Sequence, residues 1–166
     1  MNHEEQKLQI KCVSRFRGEY PQYAMLLTHP INEGGRNTAR TGGIHKAEGT
    51  QAGVSDLLFF VPAEYRRPAP IDGLYLVTTY NGLGIEFKTA KGRQSKEQKE
   101  FQKMFEAAGY KYAIVRSYEE FQGVMNDYLA HVATWKRIEI NAAYGEITKA
   151  AEQREKEKFY KVIGKK

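Results

Sequence analysis

A carboxylate and an ammonium group lie two positions apart within an apolar stretch, Ile85-Glu86-Phe87-Lys88. Residues i and i+2 of a β-strand point to the same face, so Glu86 and Lys88 would stand side by side while Ile85 and Phe87 enter a core. We therefore predict a strand that holds two opposite charges rigidly at one edge of a cleft. A surface ion pair is the plainer alternative, and such a pair contributes about 0.2 to 1 kcal/mol.

Another carboxylate precedes a second apolar run. Asp56 follows Gly53 and stands immediately before five consecutive apolar residues, 57–61. The run lacks polar alternation, which indicates a strand over 54–61 that is buried on both faces. An Asp at the start of one strand and a Glu-X-Lys on its neighbour can assemble a metal-dependent phosphodiesterase site, although Asp56 alone could be an ordinary acid at the start of a strand.

Two helices supply further polar side chains. Residues 4–19 predict a helix with Glu5 in the middle of its apolar face, where the acid either points inward or merely complements the helix dipole. Ser95 and Gln98 form a capping-box pattern that predicts a helix from 96 to about 108. Gln98 flanks the apolar stripe of that helix and can therefore face the sheet.

The rest of the chain predicts an α/β fold, with a central mixed sheet of about four strands flanked by helices. Asn81-Gly82 is a strong hairpin signal and is expected to join strands 73–80 and 83–89 as an antiparallel pair, while 63–71 is expected to be a loop. A strand over 112–116 after the second helix implies a parallel crossover. We expect one domain over 1–133 and a polar extension over 134–166 that carries a helix from 142 to about 162.

The charge balance favours a polyanionic partner. The chain has 26 Lys and Arg against 20 Asp and Glu, a net charge of +6, which raises the odds of nucleic-acid binding only modestly. The single cysteine, Cys12, excludes an intramolecular disulfide and a zinc site built from several cysteines. His29 and His45 are too isolated to argue for a histidine-based site. No secretory or membrane-spanning pattern is visible, so a cytoplasmic location in a bacterial or phage-infected cell is expected.

The chemistry of the acids depends on whether they meet. If Glu5, Asp56 and Glu86 converge, their oxygens and the backbone carbonyl of Phe87 would suit Mg²⁺ or Mn²⁺, which prefer oxygen ligands. Lys88 would then orient the attacking water or stabilise the transition state, and Gln98 could hydrogen-bond the water or a phosphate oxygen.

These motifs, taken in order, resemble the PD-(D/E)XK nuclease superfamily and, within it, the VRR-NUC (virus-type replication-repair nuclease) domain. The resemblance covers residues from about 5 to about 129, and an isolated Asp with Glu-X-Lys would be much less specific. The segments that carry it are Glu5-Gln6-Lys7-Leu8-Gln9, Asn32 with Gly34-Gly35-Arg36, Lys46-Ala47-Glu48-Gly49, Gly53-Val54-Ser55-Asp56-Leu57, Ile85-Glu86-Phe87-Lys88-Thr89, Lys91-Gly92-Arg93-Gln94-Ser95, Gln98-Lys99, Gly109-Tyr110-Lys111-Tyr112 and Arg116-Ser117-Tyr118-Glu119-Glu120-Phe121.

The resemblance implies a restriction-endonuclease-like core with a specific set of site residues. Asp56, Glu86 and Lys88 match the metal-binding and catalytic core, Glu5 the helix-borne acid and Gln98 the glutamine of the following helix. Two departures are Ser55, where the family usually has proline, and the segment 63–82, which is longer than in compact members. That added segment could serve dimerisation or substrate contact.

The resemblance also implies a substrate. Stand-alone members look like phage or prophage proteins that act as homodimers on branched DNA, so a homodimer that resolves four-way (Holliday) junctions is the leading hypothesis. The alternatives are a flap-cutting or restriction-like endonuclease, a DNA-binding module without catalysis, and a basic structural protein. Five basic residues are expected to contact phosphates: Arg36, Arg40, Lys46, Lys91 and Arg93.

Overall fold

The structure is a computed structural model that describes residues 3–30, 47–71 and 73–163. Its helices are α1 (His3–Glu19), a 3₁₀ turn (Pro21–Leu26), α2 (Lys96–Ala107), α3 (Tyr118–Ala130) and α4 (Thr134–Ile163). Its strands are β1 (Leu27–Thr28), β2 (Leu57–Phe59), β3 (Ala63–Pro68), β4 (Tyr75–Tyr80), β5 (Leu83–Phe87) and β6 (Lys111–Val115). The sequence also predicts a polar loop over 32–43 and one or two helical turns over 44–49, and most of these residues lie outside the described ranges.

A four-stranded mixed sheet forms the centre of the fold, as predicted. Its order is β1-β2-β5-β6, with β5 antiparallel to β2 and parallel to β6. All five residues of β5 are buried, because helices cover both faces of the sheet at this strand. The strand predicted over 54–61 is wrong in its bounds, since β2 pairs only over Leu57–Phe59.

The core on one face of the sheet is aromatic. Phe16 of α1 packs edge-on against Phe59 of β2 at a centroid distance of 5.6 Å, and Phe59 in turn contacts Tyr128 of α3 at 6.0 Å. Phe87 of β5 stacks on Phe121 of α3 at 6.1 Å. These contacts place α1 and α3 on the face that receives Phe87, so the adjacent Glu86 points to the opposite face.

Helix α2 makes the predicted parallel crossover from β5 to β6. It begins at the capping box of Ser95 and Gln98, and it ends before Gly109, whose positive φ of 83° suits a helix stop. Phe105 of α2 packs above Gly84, where an added Cβ would lie only 2.9 Å from the ring. The small residue in β5 therefore lets α2 approach the face that carries Glu86.

The prediction of a loop over 63–71 is wrong, because Ala63–Pro68 forms β3 and pairs with β4 in a separate two-stranded sheet. Pro68 lies at the end of this edge strand, where the missing N–H disturbs no ladder. The predicted hairpin of β4 with β5 is also wrong. Asn81 instead binds the residues that follow α2. Its backbone N–H donates to the Gly109 carbonyl at 2.8 Å, and its Nδ2 donates to the Ala108 carbonyl at 3.1 Å.

The chain divides into two compact units, Met1–Val132 and Ala133–Lys166. In the second unit α4 is a single helix that begins at Thr134, eight residues before the predicted start at 142. Trp135, Ile138 and Ile147 are exposed on it. Within the described ranges, no helix has the length and apolar character needed to cross a membrane.

Candidate active site

Asp56 and Glu5 are held by the backbone at the end of β5 and just beyond it. The ladder between β2 and β5 ends with the pair of Leu57 and Ile85. Beyond it, Asp56 Oδ2 accepts a hydrogen bond from the Phe87 N–H at 2.7 Å, and Glu5 Oε1 accepts one from the Thr89 N–H at 3.0 Å. The two carboxylates thus continue the ladder where β2 stops, which fixes both at one edge of β5. Of the two possibilities for Glu5, the inward one is therefore observed.

Glu86 and Lys88 stand side by side, as their spacing requires. Glu86 is fully buried and Lys88 is 8% exposed, and Lys88 Nζ donates to Glu86 Oε1 at 2.6 Å. The N–H of Lys88 donates to the Val115 carbonyl of β6 at 3.0 Å, so the lysine backbone remains tied to the sheet after β5 ends. The plainer alternative of a surface pair does not hold, because both side chains are inside the protein.

Two further donors complete the surroundings of Glu86. Gln98 Nε2 donates to Oε1, and the Tyr112 hydroxyl of β6 donates to Oε2 at 3.2 Å. Gln98 can do this because its capping-box bond uses only the amide oxygen, which accepts from the Ser95 N–H at 2.9 Å. The start of α2 therefore orients one end of the amide toward the helix cap and the other toward the carboxylate.

A glycine lets the Asp56 loop touch the start of α2. Gly53 has a φ of 83°, and an added Cβ would lie 2.7 Å from the Gln98 backbone nitrogen. Any larger residue would both strain the backbone and push the loop from the helix. Next to Asp56, Ser55 is fully buried and its Oγ donates to the Leu57 carbonyl at 3.1 Å. This bond stabilises the start of β2 at the position where the VRR-NUC pattern has proline.

Electrostatics in the site disfavour the carboxylates in their charged form. Burial and, to a smaller extent, the nearby Asp56 charge raise the pKa of Glu86 to about 6, although Lys88 acts in the opposite direction. Burial also raises the pKa of Asp56 above its usual value, and the charge of Glu5 adds to that rise. One lysine does not offset three neighbouring acids, so the site as it stands is short of positive charge.

These side chains line one open cleft of about 470 Å³. The cleft brings together five predicted residues: Glu5, Asp56, Glu86, Lys88 and Gln98. Of the predicted DNA contacts, Lys91 and Arg93 are exposed in the connection between β5 and α2. Arg36, Arg40 and Lys46 lie outside the described residues.

Two residues of the site were not predicted. Tyr112 could have been found from the parallel pairing of β5 with β6, which puts Tyr112 opposite Gly84 and on the same face as Glu86. His29 lines the cleft, and its Nδ1 lies 2.6 Å from the Asp56 carbonyl oxygen. No sequence signal indicated His29, because it follows a two-residue strand and has no neighbouring motif.

The donors present fit a hard divalent cation with an incomplete protein shell. Within the described part of the chain, no three His, Cys, Asp or Glu side chains form a metal-binding group by themselves. Mg²⁺ commonly uses one or two carboxylates and completes its shell with water and substrate phosphate. Asp56 and Glu86 would provide these two carboxylates. The N–H and the carbonyl of one strand residue point to the same side, so the Phe87 carbonyl lies on the side of β5 where the Phe87 N–H meets Asp56. A bound cation would also supply the positive charge that the carboxylates of the cleft lack.

Comparisons with known proteins bear on the fold. No family model matches the chain, and no curated protein matches it. A solved structure described as a "VRR_NUC domain protein" is similar, with 18% sequence identity and a TM-score of 0.57, over 79% of this chain and 92% of the other. Over most of its length the chain therefore shares the fold of a VRR_NUC domain protein.

Proposed function

We propose that the protein is a Mg²⁺- or Mn²⁺-dependent endonuclease that hydrolyses phosphodiester bonds in DNA. The observation that carries this proposal is the cleft in which Asp56, Glu86 and Lys88 meet, where Glu86 is buried, Asp56 is half-buried and the acids outnumber the lysine. Burying such charges without a use for them would destabilise the fold, and clusters of perturbed acids are typical of active sites. The shared fold with a VRR_NUC domain protein supports the same class of reaction.

Each residue has a distinct role in the proposed reaction. Asp56, Glu86 and the Phe87 carbonyl would hold the cation, which when bound supplies an activated water and offsets charge on the scissile phosphate. Lys88 is fixed by its bond to Glu86 and would orient the water or stabilise the charge that develops on the phosphate. Gln98 would position Glu86 and donate a hydrogen bond without adding charge. Glu5 would hold the backbone at Thr89, just beyond β5, and would be the further carboxylate ligand of the cation.

The proposed substrate is branched DNA, with a four-way junction cut by a homodimer as the most specific form. A net charge of +6 and the exposed cations Lys91 and Arg93, in the connection between β5 and α2, support contact with phosphates. A twofold dimer would supply two equivalent clefts, which two symmetric cuts require. Flap cleavage, cleavage of plain duplex and binding without cleavage are the other outcomes that the following experiment separates.

The experiment compares labelled four-way junction, flap and plain duplex of matched sequence in Mg²⁺, Mn²⁺ and EDTA. We expect metal-dependent cutting of the junction, strong loss in Lys88→Ala, and normal cutting by Lys99→Ala, a control at an exposed lysine of α2. Equal cutting of plain duplex would contradict junction specificity. Salt-sensitive binding to all three DNAs without cleavage by any metal would contradict the enzyme and leave a DNA-binding module.

A further inference from the structure

The two-stranded sheet of β3 and β4 forms an arm with an exposed apolar strand. Residues Tyr75 to Thr79 of β4 are all exposed, with Tyr75 at 65% and Val77 at 52%. Ile71 and Leu74, in the turn that connects the strands, are also exposed. An isolated two-stranded sheet is marginally stable in water, and an exposed apolar strand invites association.

The base of this arm is fixed to the first compact unit. The Tyr65 hydroxyl donates to Asp127 Oδ2 at 2.8 Å, and Lys111 Nζ donates to the same hydroxyl at 2.7 Å. The Tyr65 ring also stacks on His131 at a centroid distance of 3.8 Å, and it meets Tyr80 edge-on. The arm therefore leaves the unit in a defined direction, with its outer half exposed.

The two edges of the arm differ in their ability to pair. On β3, Pro68 has no N–H, Glu64 gives its N–H to the His131 carbonyl at 2.8 Å, and Arg66 forms an ion pair with Glu64 at 3.3 Å. Proline and charges of this kind protect an edge from pairing. On β4 there is neither proline nor a charged residue, and within the described chain β4 pairs with β3 alone. The outer edge of β4 is therefore the open one.

The chemistry of β4 points to a second copy of the chain and away from DNA. Residues 69–83 contain no Lys or Arg, so the strand offers no cation to a phosphate. Because β4 is uncharged, antiparallel pairing with its own copy brings no like charges opposite each other. Each arm, as far as the structure describes it, has its open edge on β4, and a twofold contact that uses this edge closes at two chains.

We propose that two copies associate through antiparallel pairing of β4 with β4, which joins the two arms into one four-stranded sheet. The contact buries Tyr75, Val77 and their copies across the twofold axis. This contact would be the interface of the homodimer in the proposed function, and its role in DNA cleavage rests on that proposed function. The association itself requires neither metal nor DNA, so it can be tested apart from cleavage.

The test is the mass of the full chain in solution, by light scattering after size exclusion and by sedimentation equilibrium, in EDTA and without DNA. We expect wild type at about twice the monomer mass of 19.0 kDa. Val77→Lys places a cation at the centre of the pairing and is expected to give the monomer mass. Met104→Lys makes the same change at a 70% exposed apolar residue of α2, outside the arm, and should remain dimeric.

A charge-rescue experiment locates the contact. An equal mixture of Val77→Lys and Val77→Glu is expected to recover the dimer mass, because the opposite charges would face each other across the axis. Tyr75→Lys, on the same face of β4, repeats the disruption should Val77→Lys fail to give native circular dichroism. A monomeric wild type, or dimers that persist in both lysine variants, would overturn the proposal. Loss of cleavage with an intact dimer would contradict the proposed function alone.

Discussion

Replacement of Lys88 by Met tests whether Glu86 is a buried charge. In wild type, Lys88 Nζ lies 2.6 Å from Glu86 Oε1, and neither side chain has appreciable contact with water. Met has a similar length but no charge, so Glu86 would keep only its hydrogen bonds from Gln98 and Tyr112. Breaking a buried pair by removal of one partner commonly destabilises a protein by about 3 to 5 kcal/mol.

The loss should depend on pH, because Glu86 can take a proton instead. Its pKa is about 6 in the folded protein and 4.5 in an unfolded chain, so the contribution of Glu86 to stability is greatest below pH 4.5 and falls as pH rises through 6. In wild type that fall amounts to roughly 2 kcal/mol, at about 1.36 kcal/mol for each pH unit between the two pKa values. Without Lys88 the pKa of folded Glu86 rises further, so the fall becomes larger and extends to higher pH.

The assay is urea denaturation in EDTA at several pH values between 5 and 8, for wild type, Lys88→Met and the exposed control Lys99→Met. We expect Lys88→Met to lose about 3 kcal/mol or more at pH 8 and much less at pH 5, while the control stays within about 0.5 kcal/mol throughout. A loss of the same size at every pH would refute the argument, because it would mean that Glu86 does not change protonation in this range.

Three other perturbations follow from the same contacts. Burial raises the pKa of Asp56, so its charge at pH 7 destabilises the fold. Asp56→Asn should therefore raise the melting temperature in EDTA, because Asn removes the charge and keeps an acceptor for the Phe87 N–H. A lower melting temperature would contradict this. Tyr112→Phe removes a donor to buried Glu86 and should reduce stability at pH 8 by roughly 1.5 to 3 kcal/mol, measured by urea denaturation, whereas no change would show that the hydroxyl is unimportant. Gly53→Ala should cost about 1 to 3 kcal/mol and also slow DNA cleavage, because its Cβ displaces the start of α2; an unaffected cleavage rate would contradict the link.

Most of the site could be predicted because its positions follow from local rules. The two-residue period of a strand places Glu86 beside Lys88, and the capping box places Gln98 at the start of α2. The position of Glu5 in the middle of an apolar helix face left two possibilities open, an inward acid or one that complements the helix dipole, and only the bond to the Thr89 N–H distinguishes them. The four-stranded sheet and its parallel crossover follow from the order of elements, and the structure confirms them.

The remaining features depend on contacts between distant segments. Asn81-Gly82 carries a hairpin signal, but Asn81 hydrogen-bonds to Ala108 and Gly109 after α2. Strand β4 therefore pairs with β3 and not with β5. The arm was missed because Pro68 and two arginines are typical of loops, whereas an edge strand tolerates them. His29 reaches Asp56 only through tertiary packing, which no local pattern encodes.

The single-turnover cleavage rate of a four-way junction in Mg²⁺ tests the central claim most directly, when Asp56→Asn is compared with wild type and Lys99→Ala. Asn preserves the shape and the bond to the Phe87 N–H but removes the charge that would hold the cation. We predict that Asp56→Asn lowers the rate by roughly 100-fold to 1,000-fold with no loss of folding, while Lys99→Ala cuts at the wild-type rate. Cleavage by Asp56→Asn at the wild-type rate would contradict the assignment of this cleft as a metal-dependent active site.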